Sequence, residues 1–340
     1  MAASNLTLVL PPLSFSDSEN HKFKSLLNDN AKSLSSLRNI LVRGEIDSYA
    51  TQEIILTELF GLPYKDIDEL PVAAITAMGS GFDAATGYWL HAEPVHLHPD
   101  LDHVLLFDSS HFELTKNELG QLAEELQEVL EESELTPRFG QKNNFFIRTH
   151  DEPKAKFTAL NDVTGKNILQ HLPEGEDSAR WRLLQNEIQM QMTQCIVNRR
   201  REEKGEMTVN GLWFWGGGYL LRGKYKRCYE TVISNQLFVT GLAVMTDAIM
   251  DKKINSFDDV DNKTLVTIEQ SKAVTPAVSL IMLLEFERQW LKPALAGIKS
   301  GDLESLTLVT GKAKTVLTQK MNKRFWKRPV QISTLLNLLS

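Results

Sequence analysis

The feature that most narrows what this chain can fold into is its alternation of short apolar runs with amphipathic helical stretches. Residues 6–10, Leu-Thr-Leu-Val-Leu, read as a buried strand stopped by Pro11-Pro12, since proline cannot donate to a sheet ladder. Residues 18–60 read as helical, with Leu26, Leu27, Leu34, Leu37 and Ile40-Leu41 at core positions. A second helix near 51–60 ends at Gly61-Leu62-Pro63. The run Pro71 to Met78 suits either strand or helix. After the Gly79-Ser80-Gly81 turn, residues 87–97 and 104–107 read as strands joined through Pro99-Asp100-Leu101-Asp102. Leu119, Leu122, Leu126, Val129 and Leu130 predict an amphipathic helix over 115–132, acidic on its other face. Residues 135–170 read as irregular strands and turns. A long helix is expected over 177–203, capped by Asp177-Ser178. A strand at 210–218 running into a glycine turn, helices at 236–251 and 276–298, and a strand at 305–310 complete an α/β pattern. The expected organisation is one α/β unit over 1–340, with a small inserted subdomain around 113–175 and a basic C-terminal segment over 312–340.

Composition removes several classes. With 42% hydrophobic and 24% charged residues in a chain of 340, disorder, collagen and coiled coil fail as global descriptions. The net charge of −7 argues against a nucleic-acid binder by bulk charge. From Lys312 to Arg328 the sequence carries Lys312, Lys314, Lys320, Lys323, Arg324, Lys327 and Arg328 with no acid, leaving about −14 on the rest. Two cysteines, Cys195 and Cys228, can form neither a disulfide framework nor a four-cysteine zinc site. No apolar run approaches the ~18 residues of a membrane span, and the first residues read as a strand rather than a signal peptide. A cytoplasmic location is expected, with membrane and nucleic-acid partners disfavoured.

The stretch Asn210-Gly-Leu-Trp-Phe-Trp-Gly-Gly-Gly218 stands out. On a strand, Trp213 and Trp215 project from one face. Gly216, Gly217 and Gly218 let the backbone approach a ligand, and a glycine loop can aim N–H groups at an anion. The same residues equally suit two core tryptophans before a tight turn. The histidines other than His21 lie between His91 and His171, and His96-Leu97-His98 puts two imidazoles on one strand face. A metal would need further ligands at a recognised spacing, and none is present, so no metal site or cofactor is expected. There is no GxSxG, P-loop or GxGxxG.

Val197-Asn198, Arg201, Gly205, Val209-Asn210, Leu212 to Gly216 and Gly218 resemble, without a gap, a segment of archaeal-type cofactor-independent phosphoglycerate mutases. Tyr88-Trp89-Leu90, Ala92 to Leu97, Asn186 to Met190 and Phe325 to Pro329 are similar to a bacterial mutase-like group of the RpfE regulatory type. The resemblance implies a divergent alkaline-phosphatase-like fold. In the mutases it also implies two metal ions and a serine that carries the phosphoryl group. This chain departs at three places. Its first strand ends in Leu10-Pro11-Pro12 where an Asp-Gly metal motif is implied, no histidine follows His171, and His91 and Glu93 stand where Arg and Asn are implied.

The resemblance therefore implies ancestry without the catalytic machinery: a non-catalytic regulatory or interaction protein with a phosphorylated small molecule or a protein as partner. The alternative is an active mutase or related metal-dependent phosphatase. Asn198, Arg201, Asn210, Trp213, Trp215 and Gly216 to Gly218 are the candidate anion-binding residues. His91, Glu93 and His96 form a second group.

Overall fold

The computed structural model describes residues 4–13, 15, 17–63, 69–140, 144–251, 257, 260, 262–268, 275–324 and 337–339. In chain order the elements begin with β1 (Ser4–Leu10), α1 (Asp17–Asp29), α2 (Ser35–Arg43), β2 (Glu45–Ser48), α3 (Gln52–Leu59) and α4 (Val72–Gly79). There follow β3 (Tyr88–Asp100), β4 (His103–Phe107), α5 (Lys116–Glu132), β5 (Thr136–Phe139) and β6 (Phe145–Thr149). Next come α6 (Leu160–Val163), α7 (Ser178–Gln194), α8 (Ile196–Glu203), β7 (Gly211–Gly218), β8 (Thr231–Ile233), α9 (Leu237–Met245) and β9 (Ile249–Met250). The last are β10 (Thr264–Thr267), α10 (Pro276–Phe286), α11 (Lys292–Ser300), β11 (Leu303–Thr310), β12 (Ala313–Thr318) and α12 (Gln319–Asn322). They form two compact units, one of Met1–Asp66 with Lys224–Ser340 and one of Ile67–Gly223. The stretch 113–175 lies inside the second unit, which extends past it on both sides because β3 and β7, near the unit's ends, pair with each other.

The first unit is built on a seven-stranded sheet of order β2-β12-β11-β1-β10-β8-β9. β11, β1, β10, β8 and β9 run parallel, while β12 and β2 add antiparallel edges. Leu6, Leu8 and Leu10 share one face of β1 and pack with Leu27, Ile40 and Leu295 in the core. Leu34 stands at the N-cap of α2, and its side chain cannot cap a helix. Its orphan N–H groups are met from far along the chain: Ser36 and Leu37 donate to the buried Glu287 carboxylate at 2.7 and 2.9 Å. Glu287 opens a π-helical turn, Glu287–Leu291, that joins α10 to α11, so the helix expected over 276–298 is interrupted.

The second unit carries a sheet of order β4-β3-β6-β5, with β7 on the other side of β3. One face buries Leu90, Ala92, Leu212 and Phe214 under Leu126 of α5 and Ile188 of α7. α5 is held at its start by a capping box in which the Thr115 side chain and the Glu118 backbone, and the reverse pair, exchange hydrogen bonds. The other face holds two separate apolar clusters. Trp89 and Phe146 pack with Ala73, Ala74 and Ala77 of α4, whereas Val95 and Trp213 pack with Leu106, Leu160 and Val163.

Several expectations change. The helix expected over 177–203 breaks at Cys195, which is extended (ψ 157°) and ends α7 before α8 starts. Asp177 does not cap α7 with its side chain, because that carboxylate accepts from the Lys154 N–H at 2.8 Å. The run at 71–78 is helix α4, and the segment expected as helix to 251 ends at Met245 before strand β9. β12 runs through the basic segment: Lys314, half-buried in it, meets Glu58 at 2.6 Å and Asp47 at 3.4 Å. Arg324 pairs with Glu45 at 3.1 Å. Phe325, Trp326, Lys327, Arg328 and Pro329 lie outside the described residues.

Candidate functional site

The tryptophan strand β7 lies antiparallel to β3, with His91 opposite Trp215 and Glu93 opposite Trp213. Directly paired residues share a face, so all four belong to the face with the two apolar clusters. Trp213 is core: its indole N–H donates to the Thr158 carbonyl at 2.9 Å. The glycines continue the strand instead of forming a loop. A side chain on Gly217 would run into the Tyr88 ring, and a Cβ on Gly218 would lie 2.5 Å from the Pro71 Cβ. Gly216 has a left-handed φ of 64°, and its Cβ would meet the Val72 Cβ at 3.2 Å. Close packing against Tyr88 and the start of α4 accounts for this triplet.

The side chains expected to contact an anion have partners within the fold. Asn198 is buried and knits the α7–α8 break to the lead-in of β7. Its amide donates to the Met192 and Val209 carbonyls at 2.7 and 2.8 Å and accepts from the Val209 N–H at 2.8 Å. Asn210 bridges to β3, accepting from the Leu97 N–H at 2.7 Å and donating to its carbonyl at 3.0 Å. Arg201 is only 3% exposed. Its guanidinium donates to the Met207 carbonyl at 2.6 Å, the Glu113 carbonyl at 3.0 Å and the Glu118 carboxylate at 2.8 Å. Burial alone would raise the Glu118 carboxyl, but hydrogen bonds from Thr115 and Arg201, with the guanidinium charge, hold it below its ordinary value. A buried guanidinium needs such a partner, so its charge is already matched within the protein. His96 is also engaged: its Nδ1–H donates to the Thr208 carbonyl at 2.9 Å, and burial lowers its pKa.

The second group behaves differently. His91 is 3% exposed and stacks on the Trp215 indole, with centroids 4.5 Å apart and planes 13° from parallel. Its Nδ1 stands 3.6 Å from the Glu93 carboxylate, beyond hydrogen-bond length. That nitrogen and Trp215 Nε1 are buried without a hydrogen-bond partner among the described residues. Burial lowers the His91 pKa to about 3. Burial, and secondarily the neighbouring Asp108, raises the Glu93 pKa to about 7. Sequence reasoning singled out His91 and Glu93 but missed Asp108, which follows β4 and is brought up by the pairing of Leu97 with Leu106.

No protein-family model matches the chain. It is 30% identical over 128 residues to a probable 2,3-bisphosphoglycerate-independent phosphoglycerate mutase of Geobacter sulfurreducens, covering 36% of this chain and 31% of that protein. It is 28% identical over 114 residues to the corresponding mutase of Methanothrix thermoacetophila, covering 34% and 29%. The chain thus matches about three-tenths of the length of these curated relatives. Distant ancestry is shared with these mutases. The solved PH0037 protein from Pyrococcus horikoshii has the same fold, with a TM-score of 0.53 at 11% identity, over 93% of this chain and 87% of that one. A cofactor-independent phosphoglycerate mutase from Thermoplasma acidophilum aligns over 99% and 100% of the two chains at a TM-score of 0.43 and 14% identity. The mixed α/β fold agrees with the α/β class expected from the sequence.

Two-metal phosphoryl chemistry needs carboxylates and imidazoles at the strand ends. β1 ends in Leu10, which is buried and whose carbonyl accepts from Gln52 Nε2 at 2.8 Å, followed by Pro11 and Pro12. Among the described residues no group of three or more His, Cys, Asp or Glu is placed to hold a metal ion. The described residues by themselves do not make up a two-metal centre. Among the same residues, no helix is long and apolar enough to cross a membrane.

Proposed function

We propose that this chain is a non-catalytic regulatory or interaction protein of phosphoglycerate mutase-like ancestry, acting in the cytoplasm by binding, in the manner the RpfE-type resemblance implies. The observation that carries this reading is the end of β1. There the Leu10 carbonyl is taken up by Gln52 and two prolines follow, so Leu10, Pro11 and Pro12 themselves supply neither a carboxylate nor a hydroxyl where the mutase resemblance implies a metal motif. Arg201 adds support, because its charge is matched by Glu118 within the fold. A working mutase or related metal-dependent phosphatase is the competing reading, and it draws on the sequence relationship.

Turnover of 3-phosphoglycerate by the purified chain, measured with added Mn²⁺ or Mg²⁺, separates the two. No rate above background is expected. Turnover that a chelator abolishes would overturn the proposal.

A further inference from the structure

Two polar atoms on the second sheet face of the Ile67–Gly223 unit are buried without a partner among the described residues: His91 Nδ1 and Trp215 Nε1. An unsatisfied buried donor or acceptor keeps its full desolvation cost, so two of them in one stacked pair call for an explanation. They are not loop residues of uncertain aim. His91 and Trp215 face each other across the β3–β7 ladder, and the imidazole lies flat on the indole.

Their surroundings define a seam. On one side is the cluster of Trp89 and Phe146 under α4, and on the other the cluster of Val95 and Trp213 under α6. Glu93, two residues along β3 from His91, lies nearer the surface, its side chain 18% exposed against 3% for His91. The register brings a second carboxylate. Leu97 pairs with Leu106, so alternation places Val95 and Glu93 on the same face as Leu106 and Asp108. Asp108, 20% exposed, already accepts from Ser110, from Thr164 at 3.4 Å and from His111 at 3.2 Å.

The seam therefore offers an indole N–H donor, an imidazole nitrogen and two carboxyl groups. This set selects against the obvious ligands. A phosphate would face two acids with no arginine or lysine paired to either among the described residues. An ammonium would leave the indole N–H unpaired. A hydroxyl both donates and accepts, and suits every member of the set. We propose that this seam is a binding site for the hydroxyl groups of an uncharged polyol or sugar, with Trp215 as donor and Glu93 and His91 as acceptors. This deepens the binding role proposed above, yet the two fail separately. Mutase turnover would end the non-catalytic reading without touching the seam.

The test is NMR of the full chain with ¹⁵N-labelled tryptophan, in which Trp215→Phe assigns one of the six indole signals. Glycerol, D-ribose and D-glucose are titrated against inorganic phosphate and ethylammonium. A saturable shift of the Trp215 signal with at least one polyol or sugar is expected, with the Trp213 signal unmoved. Glu93→Gln should weaken that binding about tenfold, equivalent to ~1.4 kcal/mol. Trp215→Phe, which keeps an aromatic ring on His91 and removes only the N–H donor, should weaken it similarly when read by calorimetry, and stands in if Glu93→Gln does not fold. A Trp215 signal unmoved by all three hydroxylated probes would mean that water alone fills the seam, and would overturn the proposal. So would a saturable shift with phosphate or ethylammonium instead.

Discussion

At the scale of the residue, His91 and Glu93 show how burial sets charge. The two shifts have opposite consequences for stability. His91 falls from 6.5 to about 3, so below pH 6.5 the unfolded chain binds a proton that the folded one refuses, and stability drops on acidification. Glu93 rises from 4.5 to about 7, so between those values the folded chain keeps a proton that the unfolded one has lost, and stability drops as pH rises. Between about pH 4.5 and 6.5 the two nearly cancel. Single substitutions should expose each slope in urea titrations run across this range. Glu93→Gln is expected to lose stability progressively below pH 6.5, and His91→Phe to lose it from pH 4.5 up to about 7. Flat profiles in both variants would show that neither group is held away from its ordinary pKa. Arg201 teaches the complementary lesson. Its identity and spacing were legible in the sequence, whereas its partner Glu118, 83 positions away, was not, and the partner decides whether a guanidinium meets a ligand or the protein.

At the scale of the element, the helices and strands that read clearly were those with a strong local pattern. α5 appears where five apolar residues announce it, and β1 where two prolines end it. The β10 strand, Thr264–Thr267, was missed because four residues carry no usable period, although it lies in the middle of its sheet between β1 and β8. The breaks within long helices were missed for another reason: they are imposed by distant partners. The π turn at 287–291 presents Glu287 to α2, which has no side-chain cap of its own. Glu287→Ala should therefore lower stability by about 2 kcal/mol, the loss of charged hydrogen bonds at a helix start, as a lower urea midpoint. Ser36→Ala, which leaves the backbone N–H in place, should change it little. Equal effects of the two would remove the capping role from Glu287.

At the scale of the whole molecule, the chain leaves one compact unit at residue 66 and returns to it at 224. The intervening unit has its own sheet and its own apolar clusters, which is the condition for independent folding. The fragment Ile67–Gly223 alone is expected to unfold cooperatively on heating, with near-ultraviolet dichroism from its packed tryptophans. A non-cooperative melt without that signal would show that the unit depends on the rest of the chain. The sequence alone determined the α/β class, the strands that carry Trp89, His91 and Trp215, and the distant relationship to the mutases, because each is written in local periodicity or in a contiguous motif. It could not determine which polar side chains were free to act. Asn198, Arg201 and Asn210 looked like a ligand cradle, and the fold uses them to tie strand to helix break and strand to strand. His91 and Trp215 were candidates as well, and the fold leaves His91 Nδ1 and Trp215 Nε1 without partners among the described residues. Hydrogen-bond satisfaction is decided by groups brought together from far apart in the chain, so only the tertiary structure could tell a polar residue already matched from one still open.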